Sequence, residues 1–97
     1  MTRYVFENKG TCSRAILLDV DGDIINQVIF EGGCDGNLRG IGTLVAGQSA
    51  HRVSEMLAGN RCGAKVTSCP DQLSQALKEV CAAQNGEKTS SRLKRIE

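Results

Sequence analysis

The order of residue patterns along the chain predicts an α+β domain, a small antiparallel three-stranded sheet with helices packed on one face. Three observations carry that expectation. The β-rich runs come first and the helical patterns afterwards. The two longest β-rich runs are separated only by Asp21-Gly22-Asp23, a connection too short for anything but antiparallel pairing. The helical segments are amphipathic, so each has one face to bury.

The first strand is read at "RYVFE" (3–7), a short run of aromatic and β-branched residues. The second is "SRAILLDV" (13–20), where Ile16, Leu18 and Val20 alternate onto one face. The third, "IINQVIFEG" (24–32), returns from the turn and completes a β-hairpin. A helix from about Asp35 to Val45 follows from the spacing of Leu38, Ile41, Leu44 and Val45. Gly40 and Gly42 weaken it by ~1 kcal/mol each relative to alanine, which calls for a close approach to another backbone or a ligand. "SAHRVSEMLAG" (49–59) opens on a serine cap, sets Val53, Met56 and Leu57 on one stripe and stops at Gly59. The strongest helix is "CPDQLSQALKEVCAAQ" (69–84), with Pro70 in its first turn and Leu73, Leu77, Val80 and Cys81 along one face. Residues 1–84 therefore form the domain. The polar stretch 85–97 is expected to be a disordered tail.

Composition narrows the function classes. A chain of 97 residues makes one domain, and its hydrophobic share of 40% with only 3% aromatic demands an aliphatic core. Such a core is marginal, and a metal or a partner often adds stability. The net charge of +1, with acids and bases interspersed, argues against a nucleic-acid surface. No apolar run approaches the length of a membrane span, and "MTRYVFENKG" has no signal-peptide character. The expected location is cytoplasmic, where five cysteines are reduced thiols rather than disulfides.

Those thiols are the candidate chemistry. Cys81 lies on the apolar stripe of the last helix and reads as core packing. Cys69 occupies or adjoins the start of that helix, where unpaired N–H groups and the helix dipole favour a thiolate, with Asp71 opposing part of the effect. Cys34 sits at a strand-to-helix junction, Cys12 precedes a strand, and Cys62 lies in the loop before Cys69. Two readings stay open: four separate loop cysteines, or one convergent site able to bind zinc or an iron–sulfur cluster. Arg14, Arg61 and Lys65 flank these cysteines and would offset the charge that four thiolates leave on a zinc ion. "DVDGD" (19–23) fails as a calcium loop, because Phe30 stands where the bidentate glutamate is required. The glycine-rich "GGCDGNLRGIG" could hold an anion on its backbone N–H groups. His51 reads as an exposed side chain. No His, Asp or Asn constellation accompanies a cysteine in the sequence, so a thiol enzyme is not expected.

At Thr67-Ser68-Cys69-Pro70-Asp71 the letters spell TSCPD, and the chain resembles the TSCPD family, specifically its short free-standing four-cysteine branch. The likeness runs from "GTCS" (10–13) through "GGCDGNLRGI" (32–41) and "RCG" (61–63) to "TSCPDQL" (67–73). It implies that the branch's cysteines are Cys12, Cys34, Cys62 and Cys69, with Cys81 outside the set. It also implies an association with ribonucleotide reductase and deoxyribonucleotide synthesis, with Cys62 and Cys69 as a possible redox pair. More distantly, the layout is similar to the NifU-type iron–sulfur scaffolds, whose three cysteines align in order with Cys12, Cys34 and Cys69. That likeness implies a related α+β fold and iron–sulfur proteins as partners. The scaffolds' Gly-Asp is Ser13-Arg14 here, and their His before the last cysteine is Ser68.

Overall fold

The structure, a computed structural model, describes residues 2–8, 10–11, 13–32, 35–59 and 68–96. Its elements run β1 (Thr2–Glu7), β2 (Ser13–Asp21), β3 (Ile24–Gly32), α1 (Asp35–Val45), α2 (Ala50–Leu57), α3 (Cys69–Gln84) and β4 (Leu93–Arg95). The sheet is antiparallel with strand order β3-β2-β1-β4. The α+β class with helices on one face is as expected; the strand number is not. Among the described residues the sheet has four strands, because residues 93–95 pair with β1 (Tyr4 opposite Arg95, Phe6 opposite Leu93).

Alternation fixes the buried face. Tyr4, Phe6, Ile16, Leu18 and Val20 all point into the core, while Ile29, of opposite parity to Val28, is 44% exposed. Strict alternation fails twice. Val20 pairs with Ile25 and Asp19 with Gln27, so Asn26 is an extra residue on β3. That bulge lets Ile25 and Val28 both face inward despite their odd separation. The second irregularity falls between Ser13 and Ala15, which pair with Gly32 and Glu31. It turns Ser13, of opposite parity to Ile16, onto the helix-covered face, where it is buried.

Each helix has a legible cause. In α1, Leu38 and Val45 are buried, but Leu44 is 77% exposed and does not join the stripe. Gly42 is there because a Cβ would lie 2.6 Å from the Val28 carbonyl oxygen. Gly40 faces open space, so close approach accounts for one of the two glycines only. In α2, Ser49 caps the N-terminus by accepting from Arg52 N–H at 3.2 Å. Val53 is buried, whereas Met56 is 60% exposed and points away from the core. Ser68, rather than Cys69, caps α3, accepting from Asp71 N–H at 3.1 Å. Leu73, Leu77 and Val80 are fully buried beneath it.

The expected tail from residue 85 is corrected by its docking. Leu93 is 9% exposed and belongs to the core. Arg92 lays its guanidinium 4.4 Å from the centre of the Phe6 ring and donates to the Glu7 carbonyl at 2.8 Å. Glu79 accepts from the Ser90 N–H at 2.6 Å and from its hydroxyl at 2.9 Å. One leucine in a three-residue strand gives no periodicity to read, and its partners are some ninety positions away in the chain.

Candidate functional site

The direction of the elements gives the domain two distinct ends. β2 leaves Ser13 and reaches the hairpin turn at Asp21, about 27 Å away at strand rise. β3 returns to Gly32, opposite Ser13. α1 then runs back towards the hairpin, where Gly47 N–H reaches the Ile25 carbonyl at 2.6 Å and Ile25 N–H the Gln48 carbonyl at 3.0 Å. α2 starts beside the hairpin and ends near the N-terminus of α3, where Gly59 N–H donates to Asp71 Oδ1 at 2.7 Å.

Of the four cysteines expected to share a site, Cys12, Cys34 and Cys62 lie outside the described residues, as do Arg61 and Lys65. The anion reading of the glycine-rich junction also depends on residues 33 and 34, outside the description. Cys69 is described, as a buried cysteine in the first turn of α3. Its Sγ lies 3.0 Å from Ser13 Oγ. Asn8 Nδ2 donates to that same hydroxyl oxygen at 2.7 Å, and the hydroxyl keeps a second lone pair and its own proton for the sulfur contact. Thr11, on the other side of Cys12, donates its hydroxyl to the Ser13 carbonyl at 3.0 Å. Asn8 Oδ1 is buried and has no hydrogen-bond partner among the described residues. The residue after Cys12 thus touches Cys69, and the strand end that leads to Cys34 pairs with that residue. Gly59 and Ser68, which bracket residues 60–67, both sit at the start of α3. Nothing in the linear pattern pointed to Ser13, since its inward orientation depends on the bulge.

The opposite end holds a group that sequence reasoning missed. His51 Nδ1 lies 2.7 Å from Asp23 Oδ1 and 3.7 Å from Cys81 Sγ. The ligating atoms of Asp23, His51 and Cys81 all fall within 4.8 Å of one another, a spread compatible with one metal ion. This corrects the expectation that no His or Asp accompanies a cysteine. The three positions are remote in sequence and are brought together by the hairpin turn, α2 and α3. Asp23 also accepts from His51 N–H at 2.9 Å and from the Ser49 hydroxyl, and these bonds hold its carboxyl down at about 2, the Ser49 bond being the largest cause. Burial, followed by the Asp23 charge, pushes the Cys81 thiol up. A nucleophile–base–carboxylate relay uses both imidazole nitrogens, whereas here the thiol and the carboxylate meet the same Nδ1. The trio could hold an ion and lacks the layout of a relay. As expected, Cys81 also packs in the core.

Among the described residues no helix is long and apolar enough to cross a membrane. The sequence model of the TSCPD domain matches residues 2–81. No curated protein matches the chain, and no solved structure does, so the likeness to iron–sulfur scaffolds rests on the order of the cysteines alone.

Proposed function

The chain belongs to the TSCPD family, and from that premise we propose that it is a small, non-catalytic metal-binding domain whose ligands are Cys12, Cys34, Cys62 and Cys69. The observation that carries the reading is the 3.0 Å contact between Ser13 Oγ and Cys69 Sγ. It joins the segment of the first cysteine to the sulfur of the last. The pairing of Ser13 with Gly32 and the tie from Gly59 to Asp71 support bringing the other two cysteines to the same end. The donor set fits zinc or an iron–sulfur cluster: soft thiolates suit both, and the Ser13 hydroxyl would donate to the Cys69 thiolate as a typical outer-shell contact. Asn8 Oδ1, buried beside this group and without a partner among the described residues, supports a polar environment with further partners to be satisfied. Zinc would act there as a structural cross-link, and a cluster would add electron transfer.

Elemental analysis and an ultraviolet–visible spectrum of protein purified without oxygen separate the two, since zinc is colourless and clusters absorb visible light. With a shared site, Cys12→Ser and Cys69→Ser lose the metal to the same extent and lower stability alike, because binding couples to folding. Metal content unchanged in both variants would overturn the reading.

A second reading is favoured by the start of α3, where Gly59 and Ser68 bracket the segment holding Cys62. Cys62 and Cys69 would then form a redox pair serving a ribonucleotide reductase. These 97 residues do not themselves hold a reductase barrel, so the role proposed for them is accessory. In that case only Cys62→Ser and Cys69→Ser abolish thiol–disulfide exchange, while Cys12→Ser leaves it intact.

A further inference from the structure

We propose that Asp23, His51 and Cys81 form a second, three-ligand site for a divalent cation of the zinc class, at the end of the domain opposite Cys69. The two ends are well separated: Cys69 and Cys81 are twelve helical positions apart on α3, about 18 Å. One ion therefore cannot serve both.

The donor set is carboxylate, imidazole and thiolate, a combination of hard and soft ligands that suits a borderline cation such as zinc. With the thiol and carboxyl both deprotonated, their two negative charges balance a divalent ion. Uptake of the ion displaces the Cys81 thiol proton to solvent, so the step is charge-balanced without a further reactant. Three protein ligands leave the fourth tetrahedral position open. That position would face water, since the side chains of His51 and Asp23 are 65% and 46% exposed.

The geometry is close to that of a filled site. Ligands of one tetrahedral zinc stand about 3.4–3.6 Å apart for bonds of ordinary length. The separation of 3.7 Å between Cys81 Sγ and His51 Nδ1 is just above this range. Asp23 and His51 are nearer, at 2.7 Å, because a proton sits between them where the cation would go. A small turn of the exposed ring opens Nδ1 to the metal as its proton passes through solvent to Nε2, so the imidazole stays neutral and the Cys81 proton is the one released. The backbone beneath need not move. Asp23 is anchored through its carbonyl, which accepts from Ala50 N–H at 2.7 Å, and through its carboxylate, which accepts from Ser49 and from His51 N–H. These are the outer-shell bonds that orient a ligating carboxylate. Cys81 is fixed by its place in the core. Each ligand thus comes from a different element whose position is set before any ion arrives.

The chain contains a single histidine, so its imidazole proton resonances report this site alone. Reduced, metal-free full-length protein is titrated with Zn²⁺ while those resonances are followed by NMR. The expected result is a saturable shift of the His51 signals. In Cys81→Ser, and separately in the more exposed Asp23→Asn, the zinc needed rises at least tenfold. In Cys69→Ser the His51 response is unchanged, which keeps this site distinguishable from the four-cysteine site whatever the fate of the latter. Titration with Co²⁺ adds a second readout: a thiolate-to-cobalt absorption that persists in Cys69→Ser and disappears in Cys69→Ser/Cys81→Ser. His51 signals unmoved by zinc would overturn the proposal. So would an equal response in wild type, Cys81→Ser and Asp23→Asn.

Discussion

Replacing Leu93 by alanine tests whether the C-terminal strand belongs to the fold. Leu93 is 9% exposed and sits opposite Phe6, which is fully buried. A buried Leu→Ala change costs 2–5 kcal/mol, and a site on an edge strand that can partly collapse belongs at the low end, about 2 kcal/mol. In a domain of this size each kcal/mol moves the melting temperature by about 4–8 °C, so the expected drop is about 8–16 °C. Urea and thermal unfolding followed by circular dichroism measure both quantities. If residues 85–97 were a disordered tail, the same substitution would act on an exposed leucine and stay within about 0.5 kcal/mol. A midpoint indistinguishable from wild type would refute the docking of β4 and the packing of Arg92 over Phe6. Removing everything after Gln84 should destabilise further, because it also frees Glu7 N–H from its 2.9 Å bond to the Arg92 carbonyl.

The two α1 glycines should behave oppositely on conversion to alanine. Gly42→Ala drives a Cβ to 2.6 Å from the Val28 carbonyl oxygen and forces α1 off β3, so stability falls despite the better helix former. Gly40→Ala meets open space and should gain up to about 1 kcal/mol, read as a higher urea midpoint. Asp23 has a folded pKa of about 2 against an ordinary 3.8. Because the shift is downward, its contribution is full above the ordinary value and is lost as pH falls through about 2. Asp23→Asn should therefore narrow the stability difference between mildly and strongly acidic solution in metal-free protein, and an unchanged pH profile would remove Asp23 from the helix cap.

Faces of elements were legible in this sequence wherever alternation ran unbroken. Ile16, Leu18 and Val20 are core as their period-2 spacing indicates, and Leu73, Leu77 and Val80 as their helical spacing does. Leu44 and Met56 show the limit of that logic: each lies on the flank of its apolar stripe rather than at its centre, and the flank is left exposed. The bulge at Asn26 was invisible because one inserted residue changes parity without changing composition. Cys69 could be placed at a helix start because Pro70 marks the first turn, but Ser13 could not be placed beside it.

What periodicity cannot report is which residues meet at the ends of elements, and both candidate sites are at ends. An end is fixed by strand direction and by the connections that return the chain. Asp23 and His51 meet because α1 runs back along β3 and the turn after it delivers Ser49 to the hairpin, where Asp23 accepts from the first turn of α2. Cys81 meets them because α3 starts at the Ser13 end and runs towards the same hairpin. Its spacing from Leu77 marks it correctly as core, and that assignment does not compete with a ligand role. A thiol at the margin of a packed core has its position already fixed, so holding an ion there requires little further ordering. The burial that keeps the Cys81 proton in place without metal also means that an incoming ion must displace it, so zinc uptake at this end should strengthen as pH rises.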